Sequence, residues 1–305
     1  MRCEVLHCLS LQAYAKQSQT AFWTKISAYR LPLAGRVRQN MGALIKSITE
    51  YIDVVNKFRK IDPAKTILFR GQSNVKWSIQ SSLERVGISN ISFNKYYTSV
   101  DRYKPEINAY GKHFKRKVKL NGYDFSDYNP ISYNQFPEME YLTYLRHHGF
   151  PSPLIDFTQS EYIALFFACE DAVSSSGKTT NGKVFVMQSN LWENFSCGMK
   201  EIHRIGQYVE TDQRHIVQQS EYLLACCYCC YSNTWMFVPF GLENSLKDSS
   251  IKKKSVFEIK IAAFAKKALL QELDKMNINH FTLYRDEDSL MRKMKFEFLQ
   301  QQGLV

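Results

Sequence analysis

The sequence predicts an α+β fold in which a mixed sheet is flanked by helices. Short apolar runs rich in β-branched residues, such as Thr66-Ile67-Leu68-Phe69 and Lys183-Val184-Phe185-Val186-Met187, are interspersed with stretches of helical spacing such as Leu44, Ile45, Ile48, Ile52, Val55 and Phe58. Of 305 residues, 45% are hydrophobic and 23% charged, the balance of a chain able to bury a sizeable core. No repeat or low-complexity segment interrupts the pattern.

Taken in order, residues 1–40 read as a basic N-terminal extension: Arg2, Lys16, Lys25, Arg30, Arg36 and Arg38 stand against the single acid Glu4. Pro32 and Gly35 oppose one long helix there. The main domain is expected over 41–300, opening with an amphipathic helix from Met41 to about Phe58. Lys65 to Gln72 reads as a strand that delivers Arg70 to a turn at Gly71. Ser81-Ser82-Leu83 starts a helix. Residues 90–135, rich in Tyr, Asn, Asp and Lys, read as a polar and basic insertion, either a hairpin or a helical arm. Pro137, Glu138 and Glu140 open a helix with proline early and acids at the positive end of its dipole; it closes near His147-His148-Gly149. Leu154 to Thr158 is a strand and Ser160 to Asp171 an apolar helix. Lys183–Met187, Ser220–Cys230, Trp235–Val238 and the alternating Ser255–Ile261 are strands. Phe264–Met276 is an amphipathic helix, Phe281–Tyr284 a strand, and Glu287–Phe298 a last helix.

Several function classes fall away. No apolar stretch approaches the ~18 residues of a membrane helix, and the first residues lack the pattern of a secretory signal. Eight cysteines without such a signal point to reduced thiols in a cytoplasmic setting. Cys226, Cys227, Cys229 and Cys230 have zinc-like gaps but sit in a run that alternates as a strand, so no metal site is expected. Phosphate-loop, dinucleotide-fold, serine-hydrolase and zinc-protease motifs are absent. The net charge of +11 favours anionic partners. Segments 112–119 and 252–254 are the places where a nucleic-acid backbone would be tracked; a solvated face is the plainer reading of both.

Phe69-Arg70-Gly71-Gln72, Trp77, Ser82-Leu83 and Arg85 resemble the opening of the FRG domain. Glu140, His147-His148-Gly149, Pro151, Leu154-Ile155-Asp156-Phe157-Thr158 and Ala164–Ala168 are similar to its second block. Arg214 with Gln218-Gln219 resembles the third, and Phe281 to Asp286 the closing segment. The sequence departs from the pattern at Arg146, where glutamine is common, at Ser152-Pro153, where Thr-Arg is common, and at Ser220, where glycine is usual. The resemblance implies a bacterial or phage-related effector, in toxin or anti-phage biology, that binds a nucleotide-like ligand. Its site is expected where Arg70, His147, His148, Asp156, Thr158 and Gln218 converge, with Gly71, Gln72, Ser160, Arg214 and Gln219 as further ligand-binding residues.

A weaker similarity, to Arg-Ser-Glu type ADP-ribosyltransferases, lies in the order Arg70, Thr158-Gln159-Ser160, Gln219-Ser220-Glu221. It implies NAD as substrate, ADP-ribosyl transfer or NAD hydrolysis, and catalytic roles for Arg70, Thr158 and Glu221. The alternative is a non-enzymatic sensor or a module that binds nucleic acid or protein. Each residue also has a structural reading: Arg70 as an ion-pair partner of Asp156, the histidines as a helix C-terminus, and Asp156 as a cap of the following helix, jointly with Thr158 and Ser160.

Overall fold

The computed structural model describes residues 44–61, 66–115, 137–173, 179–188, 201–205, 209, 212–229, 234–240 and 256–303. The extension 1–40, the basic segments 116–119 and 252–254, and most of the second half of the insertion lie outside them.

The strands are β1 (Leu44–Ile45), β2 (Ile67–Gln72), β3 (Ile91–Ser92), β4 (Ile155–Thr158), β5 (Gly182–Gln188), β6 (Glu201–Ile205), β7 (Ser220–Cys229), β8 (Thr234–Phe237) and β9 (Val256–Ile261). They form one mixed sheet in the order β1-β9-β5-β2-β4-β7-β8-β3, with β6 on the other edge of β7. Only β1–β9 is parallel; the remaining neighbours are antiparallel. The helices are α1 (Ile48–Ile61), α2 (Ser82–Arg85), α3 (Phe93–Asp101), α4 (Lys104–Ala109), α5 (Met139–His147), α6 (Glu161–Cys169), α7 (Gln213–Val217), α8 (Lys266–Lys275), α9 (His280–Tyr284) and α10 (Glu287–Gln301).

Strand alternation sorts the core into three clusters. Ile67, Phe69, Val184, Val186, Ile259 and Ile261 face α1, α6 and α8, meeting Tyr51, Phe58, Ala164, Ala168 and Leu270. Tyr222, Leu224, Cys226, Trp235 and Phe237 face α3 and α5, meeting Phe93, Tyr97, Tyr141 and Leu145. Phe69 registers with Thr158, and Asp156 with Tyr222. These two clusters therefore share one face of the sheet, at its two ends. The other face carries Leu68, Ile155, Phe157, Phe185 and Leu223 beneath Ile79 and Phe240. β4 lies in the middle, at the seam between the two helical layers.

Two glycines set the approach of α6 to the sheet. A Cβ on Gly71 would stand 1.9 Å from the Ala164 carbonyl oxygen, and one on Gly182 2.2 Å from that of Ala168. Any side chain at either place would lift the helix. Next to this contact, Lys266 buries its ammonium between Asp171 Oδ1 at 2.5 Å and the Ser73 carbonyl at 2.6 Å.

The structure corrects several expectations. Phe281–Tyr284 is helical: Asn279 accepts from the Thr282 amide at 3.0 Å while Thr282 Oγ1 accepts from the Asn279 amide at 3.0 Å, a reciprocal cap that starts a helix. Leu44 and Ile45 pair with β9 before the first helix begins at Ile48. The described part of the insertion begins with the short strand β3 and continues as the helices α3 and α4. Asp156 does not cap α6. Ser160 does, accepting from the Ile163 amide at 3.4 Å.

Candidate functional site

β2 and β4 register at one residue pair only, Phe69 with Thr158. Beyond it the ladder stops, and Arg70 Nη1 donates to the Asp156 carbonyl oxygen at 2.5 Å. Alternation places Arg70 on the Leu68 face, yet Nη1 lies 4.0 Å from the Asp156 carboxylate, which shares the opposite face with Tyr222. The guanidinium thus fills the opening between the strands. From above the seam, Arg146 in the last turn of α5 donates through Nη2 to Asp156 Oδ2 at 2.5 Å.

This pairing is incomplete. Arg70 Nε, Arg146 Nε, His147 Nδ1 and Asp156 Oδ1 are all buried without a hydrogen-bond partner. Buried polar atoms are ordinarily satisfied, and leaving one unpaired costs about 1–3 kcal/mol. Three of these four atoms, from β2 and α5, belong to side chains that act on the Asp156 carboxylate, and the fourth is that carboxylate's own oxygen. The Arg70 and Arg146 side chains are 12% and 16% exposed and Asp156 37%, so the cluster is largely enclosed but opens at its centre.

The electrostatics are lopsided. Burial lowers the Arg70 guanidinium to about 10, against the pull of Asp156, and crowding by Arg146 and Arg85 adds to the shift. Burial, then Arg146, lowers Arg85 also. Burial pushes the Asp156 carboxyl up, but Arg146 and Arg70 outweigh it and hold the group below its ordinary range. One carboxylate thus answers three arginines.

Behind the cluster, His147 Nε2 lies 2.9 Å from the Tyr222 hydroxyl, and His215 Nδ1 lies 2.9 Å from the same oxygen. Burial lowers His147 to about 4, so its ring is neutral at pH 7. Burial raises Tyr222 well above its ordinary value. Arg214 lies over the Tyr284 ring at 4.2 Å, and its Nη1 is 3.5 Å from the His147 carbonyl oxygen.

Of the residues singled out in sequence, Arg70, His147 and Asp156 are brought together, with Arg214 at the margin. Thr158 is a pin: its Oγ1 donates to the Gln218 carbonyl at 2.7 Å and accepts from the Ser160 amide at 3.0 Å. Gln218 donates to the Leu283 carbonyl at 3.0 Å. Gln219 turns at φ 47° and lends its carbonyl to the Gln159 amide. Gln72 donates to the Ser78 carbonyl at 3.2 Å. Gly71 serves the α6 contact and Ser160 the α6 cap. His148 turns to Asp212, 3.7 Å away. Glu221 is fully buried on the far face: Arg204 grips both its oxygens, Nε at 3.0 Å and Nη2 at 2.5 Å, and Gln159 donates to it at 2.6 Å. Sequence reasoning missed Arg85, Arg146, His215 and Tyr222 as members of the site. The one available signal was for Tyr222, since two-residue alternation from Thr158 and Ser220 puts it on the Asp156 face.

A family model for the FRG domain matches residues 65–177. The match contains Arg70, Arg85, Arg146, His147 and Asp156, whereas Arg214, His215 and Tyr222 lie beyond it. No curated protein and no solved structure matches the chain.

Proposed function

We propose that the Asp156 seam binds a small anionic ligand, a phosphate ester of nucleotide type. The observation that carries this reading is the cluster of four unpartnered buried polar atoms, one each on Arg70, Arg146, His147 and Asp156, with Arg85 acting on the same carboxylate. Guanidinium forks suit phosphate oxygens, offering two parallel donors each. Asp156, with one oxygen bonded and one bare, suits a ligand hydroxyl. In this reading the carboxylate that faces the ligand is Asp156 in place of Glu221, whose oxygens are taken up by Arg204 and Gln159. Any ADP-ribosyl transfer or NAD hydrolysis would therefore be organised around Asp156 and Arg70. The setting we infer, from the FRG match alone, is a cytoplasmic effector of toxin or anti-phage type.

A polynucleotide reading gains less support: Lys112 is held by Asp212 at 3.2 Å and lies over the Tyr144 ring at 5.4 Å. The test is calorimetric titration of the full-length protein with phosphate, ADP, ADP-ribose and NAD, alongside Arg146→Gln. ADP-type ligands are expected to bind and to lose at least tenfold in affinity in the variant. Equal binding in both, or none in either at millimolar concentration, overturns the reading.

A further inference from the structure

A phenol oxygen has one hydrogen to give and lone pairs to receive. Tyr222 stands between two imidazole nitrogens, each 2.9 Å from its oxygen, with its ring stacked on His215 at 15°. When it gives its hydrogen to one ring, the other ring must donate to it. The facing nitrogens, His147 Nε2 and His215 Nδ1, then have opposite protonation, and the tautomer of His147 is tied to that of His215. Beyond His147 the chain of contacts ends at Nδ1, which is buried and unpartnered, on a ring that feels the Asp156 charge. Asp156 and Tyr222 occupy paired positions on β4 and β7, so the relay and the carboxylate are direct neighbours.

We propose that His147, Tyr222 and His215 form a proton relay for the Asp156 site, with His147 Nδ1 as the atom that takes a proton from a hydroxyl of the bound phosphate ester. The proposal rests on the anion-site reading above. In the starting state His147 Nε2–H donates to Tyr222, Tyr222 donates to His215 Nδ1, and His147 Nδ1 is bare. The ligand O–H bond breaks and its proton goes to His147 Nδ1; the Nε2 proton passes to the Tyr222 oxygen, and the Tyr222 proton passes to His215 Nδ1. The positive charge ends on His215, and the ligand oxygen, left negative, faces Arg70 and Arg146. His147 itself returns to a neutral ring, because it gains a proton at Nδ1 and passes one on from Nε2. The groups acting on His147 are Asp156, Arg214, Asp212 and His215, and Tyr222 completes its surroundings.

The test is nitrogen NMR of the full-length protein labelled at histidine, free and with ADP or ribose 5-phosphate. Protonated and bare ring nitrogens are directly distinguished. In the free protein, His147 Nε2 and His215 Nδ1 are expected to be of opposite type. Either ligand is expected to shift both rings together, and in Tyr222→Phe to shift His147 alone. His215→Gln provides a second check that leaves Tyr222 in place: His147 should be fixed in one tautomer whether or not ligand is present. Two protonated facing nitrogens, with Tyr222 giving its hydrogen to a group such as Ser220, would overturn the relay. So would a His215 response that survives in Tyr222→Phe. Opposite types in the free protein with no response to either ligand would instead overturn the anion-site reading, and the relay's assigned role with it.

Discussion

Two arginine–carboxylate pairs sit back to back on the β4–β7 ladder. Glu221 faces one side of the sheet, fully buried, with Arg204 on both oxygens and Gln159 on one of them. Asp156 faces the other, bound by Arg146 through one oxygen, with the second oxygen and the Nε atoms of Arg70 and Arg146 unpartnered. The residue types and the ladder are the same, yet one pair is closed and the other open. A closed pair satisfies itself and secures the fold; an open pair leaves donors and an acceptor aimed at something else. The number of polar atoms left over separates these roles better than the presence of an ion pair does.

The comparison breaks most visibly if the closed pair is removed. Glu221→Ala leaves Arg204 and Gln159 without their acceptor and is expected to cost about 3–5 kcal/mol of stability, read as a fall in the urea midpoint. Stability unchanged to within about 1 kcal/mol would show the closed pair to be dispensable. Asp156→Asn is expected to cost less, about 1–3 kcal/mol, and to act in the opposite sense on binding: with its negative charge gone, the arginines should hold inorganic phosphate more tightly. Weaker phosphate binding in that variant would mean the carboxylate is itself a ligand contact for the anion.

Acid should weaken the fold through two histidines. His147 and His280 are both lowered by burial to about 4, below the ~6.5 of an unfolded chain. As pH falls from about 6.5 towards 4 the unfolded state takes up protons first, so the stability these rings contribute is complete above about 6.5 and declines through that window. The melting temperature of His147→Gln is expected to fall less steeply than that of the native protein over this range; parallel curves would argue against the enclosed, neutral ring. The smallest effect belongs to the margin. Lys112→Ala removes an ion pair whose side chains are 40% and 37% exposed and should change stability by about 0.5 kcal/mol or less. A larger loss would make Asp212 part of the site's framework.

The elements were largely legible because each carries its own period. β5, β7, β9, α6 and α8 fall close to the runs that predict them, and Arg70, His147 and Asp156 were legible as site residues, although only His147 ends its element; Arg70 and Asp156 lie within β2 and β4. Glu221 was legible as a carboxylate near the right strand but not as a closed pair: that depends on Arg204, whose strand β6 meets β7 through a register no local pattern encodes. Arg146 read as a departure from a family pattern, although it is the arginine that grips Asp156. Tyr222 and His215 are ordinary core residues by composition, and their meeting needs the turn at Gln219. Phe281–Tyr284 has the β-rich composition of a strand, and a reciprocal cap of two side chains overrides it.

The single Phe69–Thr158 pair also has a mechanical consequence. On one side of it β1, β9, β5 and β2 form a continuous hydrogen-bonded block; on the other β4, β7, β8, β6 and β3 form a second. A nine-stranded sheet is thus two smaller ones spliced at one rung, with α6 lying against β2, β4 and β5 across the splice. Amide hydrogen exchange is expected to resolve the two blocks as separate cooperative units, and a ligand bridging Arg70 and Arg146 would slow the exchange of both at once.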